Sequence, residues 1–186
     1  IIGKSEEQLF LFSRPVFIPA ETEKADRVWN RIIERTSKDN ADRIYRVFMS
    51  EVPGSRMLIY HFIQLMTERN YNIEADFTLK PVLEINKLHR KVAREAERIR
   101  MFTRFQKTSE KSYFAAFSPQ YNVLPLVINH FSDRFSDQEW IIYDLKRNFG
   151  FYSDKHETVR ITFSDLPVNP VNGQLYESYH DPEERS

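Results

Sequence analysis

The chain has 186 residues, 41% of them hydrophobic and 14% aromatic, with only four glycines, a composition that fits one sizeable core or two small ones and excludes a disordered chain. Lys and Arg together number 27, as do Asp and Glu, so the net charge is zero and any polyanion binding must come from local segregation of charge. Cysteine is absent, which excludes disulfides, thiolate zinc, cysteine-ligated iron–sulfur clusters and a cysteine nucleophile from this chain.

The sequence opens Ile1-Ile2-Gly3 without an initiator Met, so residues 1–20 are expected to be part of a longer N-terminal segment. Within them, Pro15-Val16-Phe17-Ile18 is a short β-prone run closed by Pro19. Thr22 suits a helix N-cap, with acidic Glu21 and Glu23 beside it, and Val28, Trp29, Ile32 and Ile33 follow as an apolar stripe at helical spacing. Ser37-Lys38-Asp39-Asn40 interrupts that helix. A second is expected to turn Ile44, Tyr45, Val47 and Phe48 inward and to stop at Pro53-Gly54. A third is predicted over residues 55–69, with Leu58, Phe62, Ile63 and Leu65 inside. After a polar crossover at 71–78, Pro81 suits the first turn of a long helix reaching to about Phe105. At the helical period Ile85, Leu88, Val92, Ala96, Ile99 and Phe102 share one face, and Lys87, Lys91, Arg94 and Arg98 line the adjoining flank.

The second half changes period. Tyr113 to Ser118 reads as a strand, and residues 122–135 as a helix with Pro125 in its first turn and Val123, Leu124, Val127, Ile128 and Phe131 inside. Residues 140–144, 149–153 and 158–163 read as successive strands, joined by turns at Lys146-Arg147-Asn148 and Asp154-Lys155. Beyond Leu166 the chain carries Pro167, Pro170 and Pro182 and is expected to be extended. The predicted architecture is α+β, with a single domain over residues 21–163. A helical subdomain (21–107) holds the long amphipathic basic helix, and an α/β subdomain (108–163) holds a small β-sheet with one packed helix. An acidic tail (164–186) follows.

Charge is segregated strongly. Residues 87–107 carry eight basic side chains against two acidic ones, a net of +6, whereas residues 164–186 carry a net of −4. A basic stripe of Lys87, Lys91, Arg94 and Arg98, extended by Arg104, has the spacing to follow phosphates, and Phe102, Phe105 and Tyr113 could stack on bases. The same cations could instead pair locally, Lys91 with Glu95 and Arg94 with Glu97. Glu95 falls inside the apolar face of the helix, where a carboxylate needs a partner. It is a candidate acid–base group or substrate anchor, or the partner of Lys91 or Arg98 in a structural ion pair. His130, Arg134 and Asp137 fall on one edge if their helix extends that far. They could bind phosphate or move a proton, or they could cap the helix.

No metal-ligand spacing, phosphate-binding glycine loop or serine nucleophile elbow occurs, so no metal or cofactor is expected of this chain and no catalytic residue is assigned. With no apolar run of about 18 residues and no secretory signal, a cytoplasmic protein is expected.

Two segments resemble a known family. One is Val92-Ala93-Arg94-Glu95-Ala96-Glu97-Arg98-Ile99-Arg100-Met101-Phe102-Thr103-Arg104-Phe105. The other is His130-Phe131-x-x-Arg134-Phe135-x-Asp137-Gln138-x-Trp140, followed by Asp144, Arg147 and the aromatic run Phe149-Gly150-Phe151-Tyr152. Arg43-Ile44-Tyr45 and Ser50-Glu51-x-Pro53-Gly54 match upstream, so the likeness covers most of residues 20–163. The chain is similar here to the bacterial family of unknown function labelled "probable DNA metabolism protein". Its members resemble the domain fused to some uracil-DNA glycosylase-like proteins, and their genes often pair with a radical-SAM protein assigned to DNA modification or repair. The resemblance implies an accessory or nucleic-acid-binding component of a DNA repair or modification system, with any iron–sulfur chemistry in its partner. Where the family often has His after the long-helix Glu-Ala, this chain has Glu97. Two other readings stay open. One is a protein adaptor without DNA affinity; the other is an enzyme whose acid–base site is built from Glu95, His130 and Asp137.

Overall fold

The computed structural model describes residues 19, 21–69, 72–170, 172–179 and 181; the β-prone run at 15–18 lies outside them. The backbone divides into two compact units, one of residues 1–48 and 52–89 and the other of residues 49–51 and 90–186. The division falls within the longest helix, at His89–Arg90, whereas the period of the sequence changes after residue 107.

The first unit is helical: α1 (Thr22–Arg35), α2 (Lys38–Met49) as far as Phe48, α3 (Ser55–Glu68) and the first part of α4 (Lys80–Phe102). Ser37 starts α2 by accepting the Asn40 N–H on its hydroxyl at 3.1 Å. The Glu74 carboxylate in turn accepts both the N–H and the hydroxyl of Ser37 at 2.8 Å. The core of this unit is built on Ile32, Ile44, Val47, Phe62, Met66 and Ile85. Ile73, expected in a polar crossover, is buried with them. Val28, Ile33, Tyr45 and Phe48, expected inside, are exposed. A short helix buries one narrow seam, here Ile44 and Val47 on α2. A residue one position on is rotated by more than a quarter turn away from that seam.

The second unit carries a five-stranded mixed sheet in sequence order: β1 (Gln106–Lys107), β2 (Tyr113–Phe117), β3 (Trp140–Asp144), β4 (Phe149–Ser153) and β5 (Thr158–Ile161). The β2–β3 pair is parallel and the other pairs are antiparallel. A parallel pair needs a crossover, and α5 (Leu124–Arg134), with Pro125 in its first turn, supplies it. The hydrophobic runs of β2 to β4 follow from burial of the central strand on both faces, where Trp140, Ile142, Tyr143 and Asp144 are all buried. Gly150 is required in β4, because a Cβ there would overlap the Ile142 carbonyl oxygen and the Tyr143 ring.

The C-terminal segment is not extended. Val168 and Leu175 form an antiparallel bridge and are buried with Phe114 and Tyr143. The Gln106 side chain donates to the Gly173 carbonyl at 2.9 Å and accepts the Leu175 N–H at 3.0 Å. Asp181, itself buried, pairs with Lys107 at 2.6 Å. Apolar residues spaced among the prolines fold this segment onto the sheet, and its net acidity does not prevent that.

Candidate functional site

The loop between β2 and α5, residues 118–123, is held from both sides of its backbone. Glu95 on α4 is 9% exposed and accepts the Gln120 N–H at 2.8 Å and the Tyr121 N–H at 2.7 Å, one on each carboxylate oxygen. The ion pair expected with Lys91 or Arg98 is not formed, because two consecutive amides in a turn offer a carboxylate better geometry than a solvated cation beside it on the helix. From the other side, Arg147 donates to the Gln120 carbonyl at 3.1 Å and to the Pro119 carbonyl at 3.3 Å, and Lys146 Nζ reaches the Gln120 carbonyl at 3.0 Å.

Arg147 is fixed in its turn by two carboxylates. Its Nε donates to Glu51 at 2.6 Å and its Nη1 to Asp144 at 2.9 Å. Asp144 is fully buried and also accepts the N–H groups of Lys146 and Arg147, which shapes the β3–β4 turn. Glu51 sits in the left-handed region at φ 53°, unusual for a residue with a side chain, and its carboxylate also accepts from the Asn122 amide at 3.0 Å. Burial pushes the Asp144 carboxyl above the usual carboxylate range despite the pull of Arg147. For Arg147, burial works toward deprotonation, but the hydrogen bonds to Glu51 and Asp144 outweigh it and the net shift is upward.

Replacing Glu95 with Gln keeps the shape but sets an NH₂ group against one of the two loop amides. The expected cost is about 1–3 kcal/mol of folding stability, read by urea unfolding. A Glu95→Gln variant as stable as the parent would show that the loop is held without this carboxylate.

The clamped loop ends a cleft of about 670 Å³. Strand β1 pairs with β2 over only two residues, so the edge of β2 from Ala115 onward lines this cleft. Arg98, Phe102 and Arg104 line it on the α4 side, Asn172 to Gln174 on the side of the C-terminal segment, and Ser118 and Pro119 at the loop. Phe102 was expected in the apolar face of α4 but is 70% exposed. It is the last residue of the helix. Thr103 closes the turn, its N–H and hydroxyl both donating to the Ile99 carbonyl, and among the described residues no strand or helix covers the ring. Phe105 and Tyr113, the other two stacking candidates, are edge to face with each other at 6.5 Å, and Phe105 also packs on Phe131 and Phe135. Only Phe102 of the three is open to a ligand.

Among the described residues, Lys87 pairs with Glu84 at 2.9 Å within the first unit. Neither local pair expected for the basic stripe is formed, because Glu95 bonds the loop and Glu97 pairs with Arg100. None of the ion pairs among the described residues involves Lys91, Arg94, Arg98 or Arg104, and all four side chains are exposed.

A second cleft, of about 530 Å³, is lined by Glu97, Arg100, Met101, Thr103, His130, Phe131, Arg134 and Phe135. Arg100 holds the exposed Glu97 carboxyl below the usual carboxylate range, by a hydrogen bond first and by charge second. The Arg134 guanidinium lies 5.8 Å from the centroid of the Phe135 ring. Helix α5 ends at Arg134, so Asp137 falls in the turn beyond it and lines neither cleft. Glu95 lines the first cleft and His130 the second, and the two do not share a pocket. Among the described residues no group of three or more His, Asp or Glu could hold a metal ion, and no helix is long and apolar enough to cross a membrane.

The clamp made by Glu51, Asp144 and Arg147 was not singled out from the sequence as a site. The available signal was the acid at Asp144 with Arg147 three residues on, a spacing that lets one carboxylate both bend a turn and hold a guanidinium. The reach to Glu51 and to the loop carbonyls has no local signal.

Residues 53–184 match the family model described as a domain of unknown function, DUF4130. No curated protein and no solved structure matches the chain.

Proposed function

The chain belongs to the DUF4130 family, and we propose that it is an accessory, nucleic-acid-binding component of a bacterial DNA repair or modification system. The observation that carries this reading is the α4 flank and the residues just after the helix, where Lys91, Arg94, Arg98 and Arg104 lack carboxylate partners among the described residues. Beside them is an open cleft walled by an exposed phenyl ring. Phosphates would neutralise the cations and release counterions, while Phe102 offers a face on which a base of any identity stacks. Lys87, already paired, contributes less than its place in the stripe suggests. The cleft volume falls within the range of small-ligand sites and fits a nucleotide unit.

The resemblance to the "probable DNA metabolism protein" family supports DNA as the nucleic acid and the bacterial cytoplasm as the compartment. It also supports a radical-SAM or uracil-DNA glycosylase-like protein as the partner that supplies the chemistry. An acid–base role for Glu95, His130 and Asp137 is not supported by their placement, since Glu95 lines the first cleft, His130 the second and Asp137 neither.

The test is binding of the full chain to labelled single- and double-stranded DNA, with and without uracil, across a salt series. The expected result is a log–log slope of about −0.7 to −0.9 for each phosphate contact. No binding at low salt would sink the reading and put the adaptor first. The adaptor has its own observation in the first unit, where Tyr45, Phe48, Tyr60 and Phe77 are exposed and offer aromatic anchors to a protein partner.

A further inference from the structure

The end of α4 separates the two clefts. Phe102 lines the first, Met101 the second, and Thr103 lines both. Met101 and Phe102 are 65% and 70% exposed, two consecutive large apolar side chains that are mostly uncovered. Cations lie on both sides of them: Arg98 and Arg104 in the first cleft, Arg100 and Arg134 in the second, which the His130 imidazole also lines. Glu97, the acid of the second cleft, is already engaged by Arg100.

A helix end needs no large apolar residue at its last two positions. The macrodipole favours cations there, which would account for Arg100 and Arg104, but it gives no reason to expose Met101 and Phe102. An uncharged tip between two positively lined channels is complementary to a nucleic acid at the point where its strands part. Apolar side chains that enter a duplex act between base steps, while phosphates on either side are held by cations.

We propose that Met101 and Phe102 form a wedge for a junction between duplex and single strand. Phe102 stacks on the last base pair, Met101 fills the space beside it, and the two diverging backbones run into the two clefts. The proposal rests on the nucleic-acid reading and adds the form of DNA recognised. Arg98 and Arg104 take the phosphates of one strand, and Arg134 with His130 those of the other.

The experiment compares the full-length protein on three labelled DNAs: a blunt duplex, a single strand, and a fork with both strands unpaired at one end. The fork carries 2-aminopurine, a fluorescent adenine analogue quenched by stacking, at the last paired position. The fork is expected to bind at least about tenfold more tightly than the blunt duplex, a margin within reach of one base–aromatic stack. Binding is also expected to change the 2-aminopurine signal. The variants Phe102→Ala and Met101→Ala alter exposed side chains and should fold. They are expected to lose the fork preference and the fluorescence change, so that fork and blunt duplex bind alike. Equal affinity for fork and blunt duplex, or a Phe102→Ala variant that keeps the preference, would overturn the wedge and leave the nucleic-acid reading standing. Absence of binding to all three DNAs would overturn both.

Discussion

Reversing two charges, Arg98→Glu with Arg104→Glu, is expected to weaken DNA binding about a hundredfold or more and to flatten the salt slope by about two. At roughly 0.1 M salt a contact with a slope near 0.9 is worth about eightfold through counterion release, so two lost contacts approach the hundredfold before any repulsion is added. Both residues line the first cleft, are exposed and lack carboxylate partners among the described residues, so the substitutions break no ion pair that holds the fold. Circular dichroism and the unfolding midpoint should be unchanged. Lys87→Glu is the internal comparison. It faces Glu84, and its reversal should change DNA affinity much less. Unaltered binding by the double variant would remove the phosphate role from this cleft.

Arg147→Ala is expected to cost about 3–5 kcal/mol of stability, because it leaves the buried Asp144 carboxylate without its counter-charge. The same side chain also satisfies the carbonyls of Pro119 and Gln120 and engages Glu51, so one truncation leaves Lys146 Nζ as the remaining hold on that side of the β2–α5 loop. Glu95 would still hold the loop amides, and the loss is expected to appear first as faster hydrogen exchange over residues 118–123. Arg147→Lys should recover only part of the loss, since an ammonium lacks the planar fork that reaches Asp144, Glu51 and two carbonyls at once. Urea unfolding of both variants checks this. An Arg147→Ala protein within about 1 kcal/mol of the parent would mean that the pair contributes no more than an exposed ion pair does.

Several elements were legible without the fold because their causes are local. Strands 140–144 and 149–153 stand where the β-prone, aromatic runs place them, with the Asp144–Asn148 turn between. The helices from Ser55 and near Pro81 begin where turn and first-turn residues allow, and α1 begins at Thr22 with Glu21, not Thr22, at its N-cap and no side-chain cap. The phase of α4 also put Glu95 inside, where it is. Phase could not say what Glu95 meets there. The answer is two backbone amides from residues 120 and 121, about 25 positions on, and a main-chain donor leaves no mark on the sequence.

The sequence by itself determined the α+β class, the segregation of cations onto α4, the burial of Glu95 and the aromatic character of the second unit, all consequences of residue type and period. Tertiary structure alone decided the rest. Phe102 has the phase of a core residue, yet it is exposed because no element of the described residues packs over the helix end. The acidic C-terminal segment folds because the sheet offers Phe114 and Tyr143 to Val168 and Leu175. Glu51, Asp144 and Arg147 become one clamp only when the β3–β4 turn and the residues after α2 come together. The first cleft exists because β1 stops after two residues and leaves the β2 edge open. Period and propensity specify which way a side chain points; whether anything is there to receive it depends on contacts between residues far apart in the chain.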